Sequence, residues 1–240
     1  MELNQLLIWQ LLAHLLADFI FQGEDKAMHK NKWGFKSKHL KWHILVVFLL
    51  SWLFSFQLNY IFASLFIAIT HWLLDGIKPK LYKVKNIRPY LFFIDQILHL
   101  SILSATIIIF SIFFEIDSAL PISIKTKYLL IVMGYIICTK PANILIKEIF
   151  NTYEIKMDNK GDDLRNAGKL IGITERLLVF TFILLNQFEA VGFLIAAKSI
   201  LRFKDNNTIK TEYVLIGTML SFGIAIAIGV LINVYDGMVL

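Results

Sequence analysis

The stretch Tyr60-Ile-Phe-Ala-Ser-Leu-Phe-Ile-Ala-Ile-Thr-His71-Trp-Leu-Leu-Asp75-Gly-Ile77 decides the fold class. It is long and apolar enough for a helix that crosses hydrocarbon, which needs about 20 such residues, or fewer where part is buried in protein. Working outward, runs of the same kind recur at Asn4–Phe21, Trp42–Phe56, Tyr90–Phe114, Tyr128–Phe150 and Tyr213–Val234. A longer run, Ile171–Phe203, is interrupted at Asn186-Gln187 and reads as a hairpin of two short helices. Together these runs predict an all-α, polytopic transmembrane helical bundle of about seven to eight hydrophobic segments.

Composition agrees. Apolar residues make up 57% of the 240 and mean hydropathy is +0.65, against roughly 45–50% apolar usage in soluble domains. Twenty Phe, five Trp and eight Tyr add the aromatic content common in spans and at their interfaces. This excludes a sizeable soluble domain. The net charge of +6 could suggest a nucleic-acid partner, but the Lys and Arg residues sit in short loops beside apolar runs. Topology and anionic headgroups explain them more simply, so lipids are the expected partners and nucleic-acid binding is not expected. The lone Cys138 offers neither an intrachain disulfide nor a zinc–thiolate pattern. The first apolar run lacks a basic start and a small-residue cleavage site and carries His14 and Asp18, so it reads as a retained helix.

Two basic loops set the expected orientation. One holds Lys26, Lys30, Lys32, Lys36, Lys38 and Lys41, the other Lys78, Lys80, Lys83, Lys85 and Arg88. With both cytoplasmic by the positive-inside rule, the N-terminus and the links near Gln57 and Pro121 lie outside, and the Asn151–Lys169 loop returns inside. The expectation is one integrated membrane domain in two halves. Residues 1–115 form a four-helix half bearing a His/Asp site, and residues 116–240 form a transmembrane half with a cytoplasmic loop at 151–170.

The chemistry lies in four pairs. His14 and Asp18 are four residues apart, as are His39 and His43, His71 and Asp75, and Asp95 and His99. On a helix such positions share a face one turn apart, so each pair can aim two ligands at one point. Five of the six histidines fall in this pattern, and His29 alone does not. By residue counting, a random His would find such a partner about one time in eight. In the topology above all four pairs lie at one depth, near the cytoplasmic face. An ionisable side chain in hydrocarbon costs about 2.5–3.5 kcal/mol on insertion scales, so such residues face the bundle interior and usually serve a site. Imidazole with carboxylate and no thiolate suits a divalent transition metal, Zn, Mn or Fe. Eight ligands leave room for two ions bridged by a carboxylate. A single His–Asp pair is equally well a hydrogen-bonded clamp between helices.

Gln22, Lys78 and Gln96 adjoin the pairs and could orient ligands or bind an anion, although Lys78 is also placed for ordinary snorkelling. In the second half, Asn166-Ala-Gly168-Lys169-Leu-Ile-Gly172-Ile-Thr-Glu175-Arg176 puts two glycines four apart before a Glu–Arg pair. Lys198 and Arg202 share a helical face, and Lys140-Pro141-Ala-Asn143 interrupts the fifth run. Lys169, Arg176, Lys198 and Arg202 are candidate phosphate contacts. The stronger reading of these cations is as topological anchors, with Glu175 and Arg176 a structural pair.

The motifs His14-Leu-Leu-Ala-Asp18-Phe-Ile-Phe-Gln22, His71-Trp-Leu-Leu-Asp75-Gly-Ile-Lys78, Asp95-Gln96-Ile-Leu-His99 and Gly168-Lys-Leu-Ile-Gly172-Ile-Thr-Glu175-Arg176 resemble a bacterial integral-membrane family catalogued only as a domain of unknown function. The resemblance covers most of the chain. It implies a multi-pass protein of the bacterial cytoplasmic membrane and supplies no activity. More weakly, His71-Trp-Leu-Leu-Asp75 is similar to the His-x-x-x-Asp helix of membrane-bound metal-dependent hydrolases. The all-helical zinc phospholipase C and nuclease group also uses ligands at this spacing. That similarity implies His14, Asp18, His71, Asp75, Asp95 and His99 as ligands.

The leading expectation is therefore a membrane-embedded, metal-dependent hydrolase of a phosphoester, a lipid phosphate or nucleotide, at the cytoplasmic leaflet. Asp18, Asp75 and Asp95 would ligate or bridge, and His14, His39, His43, His71 and His99 would complete the shells. A metal-ion or proton transporter using the same cluster is the alternative, and a non-catalytic scaffold stapled by the pairs is the third reading.

Overall fold

The computed structural model describes residues 2–116, 124–155, 167–202 and 208–239. Among these the chain is all-helical, with no strand. The Pro121 link and most of the Asn151–Lys169 loop lie outside the described residues, as do Lys204 and the side chains of Arg202 and Lys210. Two compact units, Met1–Leu129 and Leu130–Leu240, divide the chain.

In the first unit α1 (Leu3–Leu15) runs into a widened turn over Leu16–Ile20, where Phe21 N–H reaches the Leu16 carbonyl five residues back. Then come α2 (Glu24–Trp33), α3 (Lys38–Ser55), α4 (Ile61–Leu81) and α5 (Leu91–Phe113). Helix α2 is short and polar. Glu24 and Asp25 sit in its first turn and Lys30 and Lys32 in its last, each sign at the dipole end that favours it. It stops at Gly34, whose φ of +52° needs glycine. Ser37 caps α3 by accepting the His39 N–H. Pro89 starts the turn before α5, where a missing N–H is harmless.

Apolar burial joins α1, α3, α4 and α5 through Leu6, Val47, Ile67, Leu103, Ile107 and Phe110. Farther out, Phe62 and Phe113 are 76% and 75% exposed. Inside, Gln10 exchanges hydrogen bonds with Ser51, whose hydroxyl also reaches Ser64. Large apolar side chains facing outward over a polar interior suit a protein whose solvent is lipid.

The second unit holds most of α6 (Thr126–Ile137), then α7 (Lys140–Thr152), α8 (Ala167–Leu184), α9 (Phe188–Arg202) and α10 (Thr208–Val239). Its core is Cys138, Val179, Phe180, Ile183, Phe222 and Ala225 with their neighbours. Gly134 and Gly229 let α6 and α10 close on Phe180 and Ile183, where a Cβ would collide. The break at Asn186-Gln187 is present, with Asn186 in the left-handed region at φ +56°.

Four helical segments are long and apolar enough to cross a membrane: Leu3–Ile20, Ile61–Leu81, Arg88–Phe113 and Thr211–Tyr235. A fifth is added if α6 and α7, bent by 50°, form one broken span. This suggests a multi-pass membrane protein. The expected seven to eight segments also counted α3, α8 and α9. Helix α3 starts with Lys38, His39, Lys41 and His43, α8 carries Lys169, Glu175 and Arg176, and α9 has only 15 residues.

Candidate metal centre

Each pair of the first unit is placed by its own helix. His14 and Asp18 flank the transition from α1 into the widened turn, a distortion common at functional sites. His43 comes from α3, His71 and Asp75 from α4, and Asp95 and His99 from α5. All seven side chains are buried: Asp75 is 0% exposed, His71 2%, and the side chain of Asp18 8%.

Four ligand atoms converge. His43 Nε2 lies 2.9 Å from His71 Nε2. Asp18 Oδ1 is 3.4 Å from the first and 3.5 Å from the second. Asp75 Oδ2 is 3.5 Å from His43 Nε2 and 3.4 Å from His71 Nε2. A tetrahedral ion with ligand bonds of about 2.0–2.1 Å has ligand–ligand edges of roughly 3.3 Å. The distances from His43 Nε2 and His71 Nε2 to each other and to the two carboxylate oxygens span 2.9–3.5 Å, and Asp75 Oδ2 also takes the Lys30 ammonium at 2.6 Å.

The surrounding bonds select the ligating atoms. His14 Nε2–H donates to Gln96 Oε1 at 3.3 Å, which leaves Nδ1 as the lone pair, 3.9 Å from Asp18 Oδ1. His99 Nδ1–H donates to the Asp95 carbonyl at 2.7 Å. Its Nε2 is then the acceptor, and it is buried without a hydrogen-bond partner. Asp18 Oδ1 has no hydrogen-bond partner either, only the imidazole nitrogens around it. Buried lone pairs without donors are costly and mark where a cation is wanted. Three groups lie within 4.8 Å mutual ligand distances: His14/Asp18/His71, His43/His71/Asp75 and Asp75/Asp95/His99. These buried sets could hold a metal ion.

Two lysines complete the cluster. Lys78 Nζ bridges Asp75 Oδ1 at 2.6 Å and Asp95 Oδ2 at 2.7 Å, so it is an ion-pair partner rather than a snorkelling side chain. Lys30 Nζ reaches Asp75 Oδ2 at 2.6 Å and is 2% exposed. Burial pushes the Lys30 ammonium below its usual range, against the pull of Asp75. Sequence reading treats Lys30 as one of six lysines in a basic loop, and no local signal separates it from the rest. What places it is the approach of the turn after α2 to α4. Gly34 lies against the Gly76 carbonyl and Pro79, while Gly76 makes room for the Phe35 ring. Three carboxylates against two ammoniums leave one formal negative charge.

A cavity of about 10 Å³, room for roughly one water, lies beside the ligands and is lined by His14, His71 and His99 together with Thr70 and apolar side chains of α4 and α5. Gln96 bridges His14 and Asp95, donating to Asp95 Oδ2 at 3.3 Å. Gln22 is buried at the end of the widened turn.

His39 does not join the cluster. Its ring stands 5.0 Å from that of His29, the histidine left out of the spacing pattern, and His29 Nδ1 meets Ser37 Oγ at 2.8 Å. His39 lies in the first turn of α3, before the buried face begins at Leu40. In the second unit, Arg176 donates through Nε to the Cys138 carbonyl and through Nη1 to Ser221 Oγ, both at 2.8 Å. Its Nη2 reaches the Thr139 carbonyl and Asn143 Oδ1. Lys198 pairs with Glu175. Lys169 is exposed, and the Arg202 side chain lies outside the described residues.

A family profile described as "Protein of unknown function (DUF3307)" matches residues 6–131, the part that contains the whole His/Asp/Lys cluster. No curated protein and no solved structure matches the chain.

Proposed function

The chain belongs to the DUF3307 family of proteins of unknown function, and from that premise we propose that it is a metal-dependent hydrolase embedded in a bacterial cytoplasmic membrane. A divalent transition-metal ion would be held by His43, His71 and Asp75, with Asp18 and His14 as further ligands beside them. The protein acts on a phosphoester at the cytoplasmic leaflet, the side assigned by the two basic loops. The observation that carries the reading is the burial of His43, His71 and Asp75 with their ligand atoms within 4.8 Å of one another, next to the equally close set His14, Asp18 and His71.

The charge and surroundings of the site support it further. The formal negative charge of the site would favour a divalent cation, which would supply Lewis-acid activation of a water and of a phosphoester. Lys30 and Lys78 hold Asp75 and Asp95 in place, and Gln96 orients His14, the role that outer partners play around metal ligands.

The test is metal analysis of gently purified protein followed by assays on phospholipids, lipid phosphates and nucleotides. Bound transition metal with hydrolysis is expected, both lost in Asp18→Asn. Metal-loaded protein that hydrolyses nothing but passes ions in sealed vesicles would replace the reading with the transporter. Metal-free protein after reconstitution would leave the scaffold.

A further inference from the structure

We propose that the groove between α3 and α4 is a binding site for an anionic phospholipid, with a hydrocarbon chain lying along the groove and the phosphate held by Lys38 and Lys41. The groove has a volume of about 360 Å³, within the range of ligand sites. Ile44, Leu45 and Phe48 line it from α3, and Leu65, Ile69 and Trp72 from α4. Ala68 lines it too and is 2% exposed, so the smallest side chain forms the floor, while Leu45, Leu65 and Ile69 stand open on the walls. None of these residues belongs to the His/Asp/Lys cluster, so the inference stands apart from the metal reading.

An apolar groove in a membrane does not by itself choose an occupant, because lipid chains are as apolar as its walls. Charge at one end of the groove makes the choice. The face of α3 that carries Leu45 continues through Lys41 and Lys38, four and seven residues earlier, positions that share one side of a helix. Both lysines are exposed, and among the described residues neither meets a carboxylate, whereas Lys30 and Lys78 of the same two basic loops are spent on Asp75. They do not serve their own helix either. The first turn of α3 holds no acid, and cations at that end oppose the helix dipole. On α4 the groove ends at Trp72, whose ring meets that of Phe35 at 4.8 Å, and Phe35 in turn covers Gly76. Trp42, beside Lys41, is 69% exposed and Trp72 is exposed as well, and exposed tryptophan next to lysine marks the headgroup level. The groove therefore runs from headgroup level into hydrocarbon, with uncompensated positive charge at its mouth. An anionic phospholipid complements both parts. A zwitterionic one fills the groove equally well but brings its own cation to the lysines.

The experiment counts retained lipid. Full-length protein in mild detergent is exchanged against equal amounts of phosphatidylglycerol and phosphatidylcholine with the same chains, and lipid per chain is read by native mass spectrometry. The wild type should retain one lipid and prefer phosphatidylglycerol by about 25-fold, roughly fivefold for each lysine. Lys38→Gln/Lys41→Gln should retain a lipid with the two headgroups near parity, and Leu45→Gln/Ile69→Gln should retain neither. Parity in the wild type, or an undiminished preference in the lysine variant, would overturn the proposal. So would phosphatidylglycerol held at the wild-type level by the groove variant. A wild type that is dimeric and a groove variant that is monomeric would put a second copy in the groove and overturn it equally. Should the groove variant not fold, wild-type protein reconstituted with chain-brominated phospholipid decides. Brominated phosphatidylglycerol must quench tryptophan emission more strongly than brominated phosphatidylcholine at the same mole fraction, and equal quenching ends the proposal.

Discussion

Arg176 in the second unit and Asp75 in the first are buried to the same degree, at 1% and 0% exposure. Their surroundings differ in kind. The Arg176 guanidinium meets two carbonyls, a hydroxyl and an amide oxygen. These include the Cys138 and Thr139 carbonyls, where α6 ends and α7 begins. Donors and acceptors match, and the arginine knits a broken helix together. Around Asp75 they do not match. Ligand atoms of Asp18, His43 and His71 crowd together with fewer protons than lone pairs, and Asp18 Oδ1 and His99 Nε2 have no donor. A saturated buried charge is a staple, whereas a surplus of converging lone pairs is a site.

Substitution at Asp75 should break that contrast most. Asp75→Asn removes the charge that Lys30, Lys78 and the imidazoles share. Breaking a buried pair from one side costs about 3–5 kcal/mol. The expected result is loss of bound metal together with a large fall in the thermal unfolding temperature in detergent. Retained metal would mean that the first unit is stapled in the way the second is.

Arg176→Met should come next and act on one unit only. Each buried acceptor left unsatisfied costs about 1–3 kcal/mol, so stability should drop while metal content per folded chain stays unchanged. Metal loss from folded Arg176→Met would show that the staple also serves the site.

Gln96→Ala should be smaller and confined to affinity. It frees the His14 ring and removes a donor from Asp95, and outer-partner loss typically weakens metal binding by about 10–100-fold. Competition with a chelator would measure it. His39→Ala should be smallest, leaving metal content as it is and stability within about 0.5 kcal/mol. Loss of metal there would return His39 to the ligand set.

Much of the site can be read along the chain. His14/Asp18, His71/Asp75 and Asp95/His99 each lie on one helix, so spacing alone places both members on one face. The same logic misleads at His39/His43, because i, i+4 spacing says which face two residues share but not where the buried part of that face begins. Apolar content marks α3, α8 and α9 as hydrophobic, while length and apolarity together mark four helical segments among the described residues.

By itself, the sequence determined the helical, membrane-type fold and the pairing of ligands within helices, because hydropathy and the 3.6-residue turn are local properties. Which pairs meet, and that Lys30 and Lys78 neutralise them, only the tertiary structure decided. Lys30 and Asp75 are 45 residues apart. They meet where Gly34 lets its backbone approach the Gly76 carbonyl and Gly76 makes room for the Phe35 ring. That contact between faces leaves no periodic trace in the chain.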